Sequence, residues 1–189
     1  MFSSGTNKIA RLDGQIFAAE YSITTLESLL GGDHDTAINS KISFIQGHIA
    51  SLNQSMSYYA SKAAGSGSMD AESILDRHVR GFSEQAIIFN GWPVMCREKD
   101  KLESSTRMNA MMSHPDGSFN MQTMIGLQPI TVADCQGLMY AGTVLANVIR
   151  DAVDDTLNQH AAEPFGTWAA MRNHFNQYFG NNYVPFVSS

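Results

Sequence analysis

Charge is what this chain has least of. Asp, Glu, Lys and Arg together make up 16% of its 189 residues, against about 25% in ordinary soluble domains. Ser, Asn, Gln, Thr and Gly must therefore cover much of the outside, which fits a surface partly occupied by partners and equally a plain neutral one. The balance is acidic, with a net charge of -6, and the twelve Lys and Arg residues are scattered. Phosphate recognition needs clustered bases, so a nucleic-acid partner is not expected.

Cysteine is nearly absent. Cys96 and Cys135 make no disulfide framework, and the N-terminal Met1 to Thr6 has neither the basic nor the apolar region of an export leader. A reducing cytoplasm is the expected setting, although export without a cleaved leader would leave no mark in the residues. No run approaches the ~18 apolar residues of a membrane span. Gly-x-Ser-x-Gly, Walker and dinucleotide patterns are missing, and Gly65 to Gly67 lies between helices with no following lysine, as a joint and not a phosphate loop. No catalytic residue, cofactor or metal ligand is assigned.

What is present is a heptad. Ile9, Leu12, Ile16, Ala19, Ile23, Leu26 and Leu30 recur at alternating steps of three and four, as do Ile38, Ile42, Ile45, Ile49, Leu52, Met56 and Tyr59 beyond Gly31-Gly32. If the chain reverses at the glycines, Leu30 faces Ile38, Ile23 faces Ile45 and Ile9 faces Tyr59. The spacing predicts an antiparallel coiled-coil-like hairpin with arms roughly 33 Å long. Phe17, Tyr21, Leu29, Phe44 and Tyr58 lie off the seam and would widen its apolar face for further helices. Gly14 and Gly47, also off the seam, hint at close approach by another element.

The remainder reads as helices too. Asp70 would cap a third helix through Phe82, followed by a short buried run from Ala86 to Phe89. Asn90-Gly91 breaks the chain, and Trp92-Pro93 would restart it in a fourth helix from Val94 to Met112. Residues 118–129 read as a loop with one helical turn. Thr131-Val132-Ala133-Asp134 resembles a capping box and opens the candidate central helix, which should fade near His160. A last helix, about Thr167 to Phe179, should stop at Gly180-Asn181-Asn182. The expected fold is all-α, a bundle of five to six helices, with a hairpin over residues 1–64, further helices of the same domain over 65–180 and an apolar tail over 181–189.

Five features invite a function. None of the six histidines forms a Glu-x-x-His or His-x-x-x-His pair, so each reads as exposed or capping. Asp151, Asp154 and Asp155 share a helical face that reads more simply as solvated than as a cation site. Cys96 near a helix start would gain thiolate character if a histidine converged on it. Met111 and Met112 belong to a methionine-rich middle, as core filler or a pliable docking surface. The sharpest feature is the tail: Tyr183, Val184, Phe186 and Val187 must dock, on their own bundle or on a neighbour. The leading expectation is a non-enzymatic helical protein acting through protein contacts, as a homo-oligomer or part of a larger assembly. The alternative is a helical-bundle enzyme or small-molecule-binding protein with its site near Cys96, His160, Asp151 and Asp155.

Overall fold

Among the described residues there are six helices: α1 (Thr6–Glu27), α2 (Asp35–Lys62), α3 (Ala71–Phe82), α4 (Glu98–Ser113), α5 (Val132–Ala162) and α6 (Trp168–Asn182). Three two-stranded antiparallel ribbons accompany them, pairing β1 (Phe2–Ser3) with β2 (Ser68–Met69), β3 (Ala86–Phe89) with β4 (Trp92–Met95), and β5 (Asn120–Thr123) with β6 (Gly126–Pro129). The structure is a computed structural model, and it describes residues 2–3, 6–62, 68–83, 86–89, 92–95, 98–114 and 119–184. The fold is an all-α bundle with these ribbons added.

Two compact units make up the chain. Unit 1 comprises Met1–Ala18, Gly47–Ser83 and Leu145–Tyr183, and unit 2 comprises Ala19–Gln46, Glu84–Val144 and Val184–Ser189. Each therefore draws on three separate stretches of sequence.

In unit 2 the helices bury part of each expected seam, and the turn between them needs one correction. Leu26, Ile38, Ile42 and Ile45 are buried, while α1 ends at Glu27 and leaves Leu30 partly exposed. The outermost layer expected between Leu30 and Ile38 is thus not sealed. The reason lies in the turn, where the Gly31 and Gly32 amides donate to the Asp35 Oδ1 at 2.9 and 3.0 Å and Gly31 takes φ 110°, a backbone angle that glycine adopts freely. Those amides, from Gly32 first and then Gly31, hold the Asp35 carboxyl below its ordinary range.

Unit 1 carries the rest of the seam, with Ile16 and Leu52 buried. Lys8 Nζ sits 4.6 Å from the centre of the Tyr59 ring, next to the expected pairing of Ile9 with Tyr59, and Phe2 pairs with Met69 beyond it. A second face of α1 is buried here as well. A Cβ at Gly14 would lie 2.1 Å from the His78 carbonyl oxygen, and one at Gly81 would lie 2.2 Å from that of Arg11. The two helix backbones touch through reciprocal glycines, the small residues that such an approach requires. Around the crossing an aromatic cluster fills the core. Phe17 stacks on Phe82 at 5.1 Å, Phe82 meets Phe179 edge-on at 4.5 Å, and Phe179 stacks on Tyr183 at 4.9 Å.

Several sequence expectations need correction. Phe44 and Tyr58 do not widen the buried face, being 68% and 59% exposed; on α2 only the seam is covered, whereas α1 is covered on two sides. The expected fourth helix begins at Glu98, because Ala86–Phe89 and Trp92–Met95 pair as strands in the register Phe89↔Trp92. Asn-Gly between two apolar runs is the signal of a two-residue hairpin. Likewise Asn120–Thr123 and Gly126–Pro129 form a hairpin in place of a helical turn, with Gly126 at φ 112°. Finally, α6 runs through Gly180 to Asn182, where Tyr183 closes it by donating its amide to the Phe179 carbonyl at 2.8 Å.

The caps follow the sequence more closely. Thr131 and Asp134 form the reciprocal box: the Thr131 amide donates to the Asp134 Oδ2 at 2.6 Å, and the Asp134 amide donates back to the Thr131 Oγ1 at 3.2 Å. Asp70 accepts from the Ser73 amide at 2.7 Å, and Thr167 accepts from that of Ala170 at 3.2 Å.

Candidate functional site

Of the residues expected at a chemical site, the described ones each meet a separate partner. Asp155 accepts from the His174 Nε2 at 2.7 Å, Asp151 lies 3.7 Å from Arg150, and the His160 ring stacks on Phe165 while its Nδ1 accepts the Phe165 amide at 3.1 Å. Cys96 lies outside the described residues. Among the described residues no group of three or more His, Cys, Asp or Glu could hold a metal ion, and no helix is long and apolar enough to cross a membrane.

Unit 2 holds a small recess, lined by Val94, Met121, Thr123, Ile130, Asp134, Cys135 and Leu138, with room for about one water molecule. Its polar groups are already engaged. The Thr123 hydroxyl donates to the Gly126 carbonyl at 2.7 Å, and Asp134 belongs to the α5 cap. Burial, and then the neighbouring Asp134, push the Cys135 thiol up against a smaller opposing effect of Arg107. It is therefore a poor nucleophile.

The densest polar chemistry lies in unit 1, at residues that sequence reasoning passed over. Asp13, buried on α1, accepts from the Trp168 Nε1 at 2.7 Å and from the Arg172 Nη1 at 3.1 Å. His78 on α3 is 0% exposed, against the expectation that every histidine would be exposed or capping. Its Nδ1 lies 3.2 Å from the Ala10 carbonyl and its Nε2 3.0 Å from the Asn176 amide oxygen, while Trp168 and Phe175 meet the ring edge-on at 5.3 and 5.2 Å. A carbonyl can only accept, so Nδ1 donates to Ala10; the Asn176 amide can meet Nε2 with its oxygen when the ring is charged and, turned over, with its NH2 when the ring is neutral. The available signal was spacing, since His78 falls three and four residues after Leu75 and Ile74 and four before Phe82 on the apolar face. Asp13, His78 and Trp168 are buried, with Arg172 and Asn176 half-buried at the edge of the cluster.

The candidate partner-binding residues separate into two kinds. Tyr183 is only 6% exposed and Met111 is also buried, whereas Val184 is 76% exposed and Met112 is largely open. Tyr183 therefore anchors the tail on its own helix. Phe186 and Val187 lie outside the described residues.

A surface feature was missed entirely. Between Lys41 and Lys62 no Asp, Glu, Lys or Arg occurs, and between Asp116 and Arg150 only Asp134 does. In unit 1 this leaves α2 with an exposed row of Gly47, Ser51, Gln54, Tyr58 and Ser61 at heptad spacing, two positions on from the buried seam. The serines there bond to their own helix: Ser51 donates to the Gly47 carbonyl, Ser55 to Ser51, Ser57 to Asn53 and Ser61 to Tyr58, at 2.7 to 3.2 Å. Counting unbroken uncharged stretches would have found it. Compared with known proteins, the chain matches no family model, no curated protein and no solved structure, so its function has to be read from its own residues.

Proposed function

We propose that this protein works through contacts with other proteins, as an assembly subunit, an adaptor or an effector, and not through catalysis. The observation that carries the reading is the exposed row of α2 from Gly47 to Ser61, which has no charged residue and an outward tyrosine. Lys and Glu are depleted where proteins meet and aromatic residues are enriched, and small residues let a partner helix approach closely. The tail contributes beyond its anchor, with Val184 exposed and Phe186 and Val187 following in the sequence. Self-association and a foreign partner both satisfy this chemistry. A reducing cytoplasm suits the free, buried Cys135.

The test uses positions that the fold does not need. Ser51→Glu and Gln54→Lys place charge on the row, and deletion of residues 184–189 removes the tail while keeping Tyr183. Multi-angle scattering reads self-association, and quantitative pull-down from the native source reads partners. At least one of the three changes should reduce complex formation tenfold or more. A monomeric chain whose partners survive all three would refute the proposal.

A further inference from the structure

His78 is the only fully enclosed histidine among the described residues, and it lies where α1, α3 and α6 meet within unit 1. From α1 it is faced by the Ala10 carbonyl and Asp13, and from α6 by Trp168, Arg172, Phe175 and Asn176. The two charged neighbours are paired with each other, Arg172 with Asp13 at 3.1 Å, so the pull of Asp13 on an added proton is offset by the Arg172 charge. On its own helix the next residue inward is Phe82, which touches Phe175, Phe179 and Phe17. Phe179 in turn holds the Tyr183 ring. A continuous line of contacts thus runs from the imidazole to the residue that anchors the tail.

We propose that His78 is an acid-sensitive latch: while neutral it holds α6, and with it Tyr183, against α1 and α3, and on protonation it releases them. The idea rests on the reading above only in giving the freed tail a use. The geometry supplies the mechanism, because a charged ring in this enclosed site meets only neutral hydrogen-bond partners and aromatic edges, with the nearest carboxylate already paired to Arg172, and opening α6 brings the ring to solvent and separates Asp13 from Arg172. Burial, the largest influence, holds the ring below the ordinary histidine value, against smaller opposing effects of Asn176, Ala10 and Asp13.

The sign follows from proton linkage. Below about pH 6.5 the opened state takes up a proton more readily than the closed state, so the opening constant of α6 rises on acidification, by at most about tenfold per pH unit. Unit 1 also contains His160, whose Nδ1 accepts the Phe165 amide, and His174, whose Nε2 donates to Asp155.

Hydrogen exchange over peptides of α6, corrected for the intrinsic pH dependence, tests the latch on the full chain between pH 7.5 and 5. Protection should fall in the native protein, as it should in His160→Gln, and should stay level in His78→Phe. An equal fall in His78→Phe, a loss of the fall in His160→Gln, or no fall in the native protein overturns the proposal. Should His78→Phe not fold, an NMR titration of the native His78 ring decides: a ring that titrates at or above pH 6.5 while α6 stays closed refutes the latch. These measurements need no partner. If acid opens α6 but none of the surface changes above affects complexes, the interaction reading fails and the latch stands; the reverse result removes only the latch.

Discussion

Three glycines separate what a residue does from what its type suggests. Gly14 and Gly81 each face a backbone carbonyl that cannot move aside, whereas a Cβ at Gly47 would meet nothing within 4 Å. Gly14→Ala and Gly81→Ala are therefore expected to force the helices apart and cost about 1–3 kcal/mol or more. Gly47→Ala should stabilise by about 0.5–1 kcal/mol through helix propensity alone. Urea unfolding of the three variants measures all of these, and a neutral Gly14→Ala would contradict the crossing. Asp13→Ala is expected to cost about 1–3 kcal/mol, because it leaves the Trp168 indole N–H buried without its acceptor. In the sequence Gly14 and Gly47 look alike, and Asp13 looks like any surface acid; which of them is pressed on is decided by residues more than sixty positions away.

At the scale of elements, the seam was the most legible feature, because a buried stripe repeats and repetition survives without neighbours. Ile45→Glu should abolish cooperative unfolding, Ile45 being buried, while Gln46→Glu and Phe44→Ser should change stability by less than about 0.5 kcal/mol. Circular dichroism melts would show it. The Thr131–Asp134 cap was equally readable, since it depends on four adjacent residues. The ribbons were missed for the opposite reason. Ala86–Phe89 and Trp92–Met95 are runs of four residues, too short for periodicity to speak, and the proline after Trp92 drew the reading toward a helix start when the Asn-Gly pair carried the better signal. The end of α6 was misjudged because Gly180 was read as a stop, although the burial of Tyr183 beyond it favours another turn of helix. The polar cluster was unreadable as a cluster: Asp13, His78 and Trp168 come from three helices, and only packing brings them together.

The whole molecule adds constraints that no element shows. Each compact unit is assembled from three stretches of sequence, so a contiguous fragment such as residues 1–64 lacks the α3 and α6 groups that meet Ala10, Asp13 and Gly14. That fragment is expected to melt without a cooperative transition in calorimetry; a sharp transition would show that the hairpin folds alone. Stability should also fall on acidification from pH 6.5 by at most about 1.4 kcal/mol per unit for His78, the unfolded chain being the form that gains the proton. Denaturation midpoints across pH 5–7.5, with His78→Phe as reference, check that slope. Association through the uncharged row, if it occurs, should change little between low and high salt, since no exposed ion pair is there to be screened. The serines of α2 carry one more implication. With the hydroxyl hydrogens of Ser51, Ser55, Ser57 and Ser61 given to carbonyls of their own helix, those four donors ask little of water and can pass from solvent into a dry contact and back without being stranded in either place. Such a surface is suited to reversible meetings, its sociability set by shape and not by thirst.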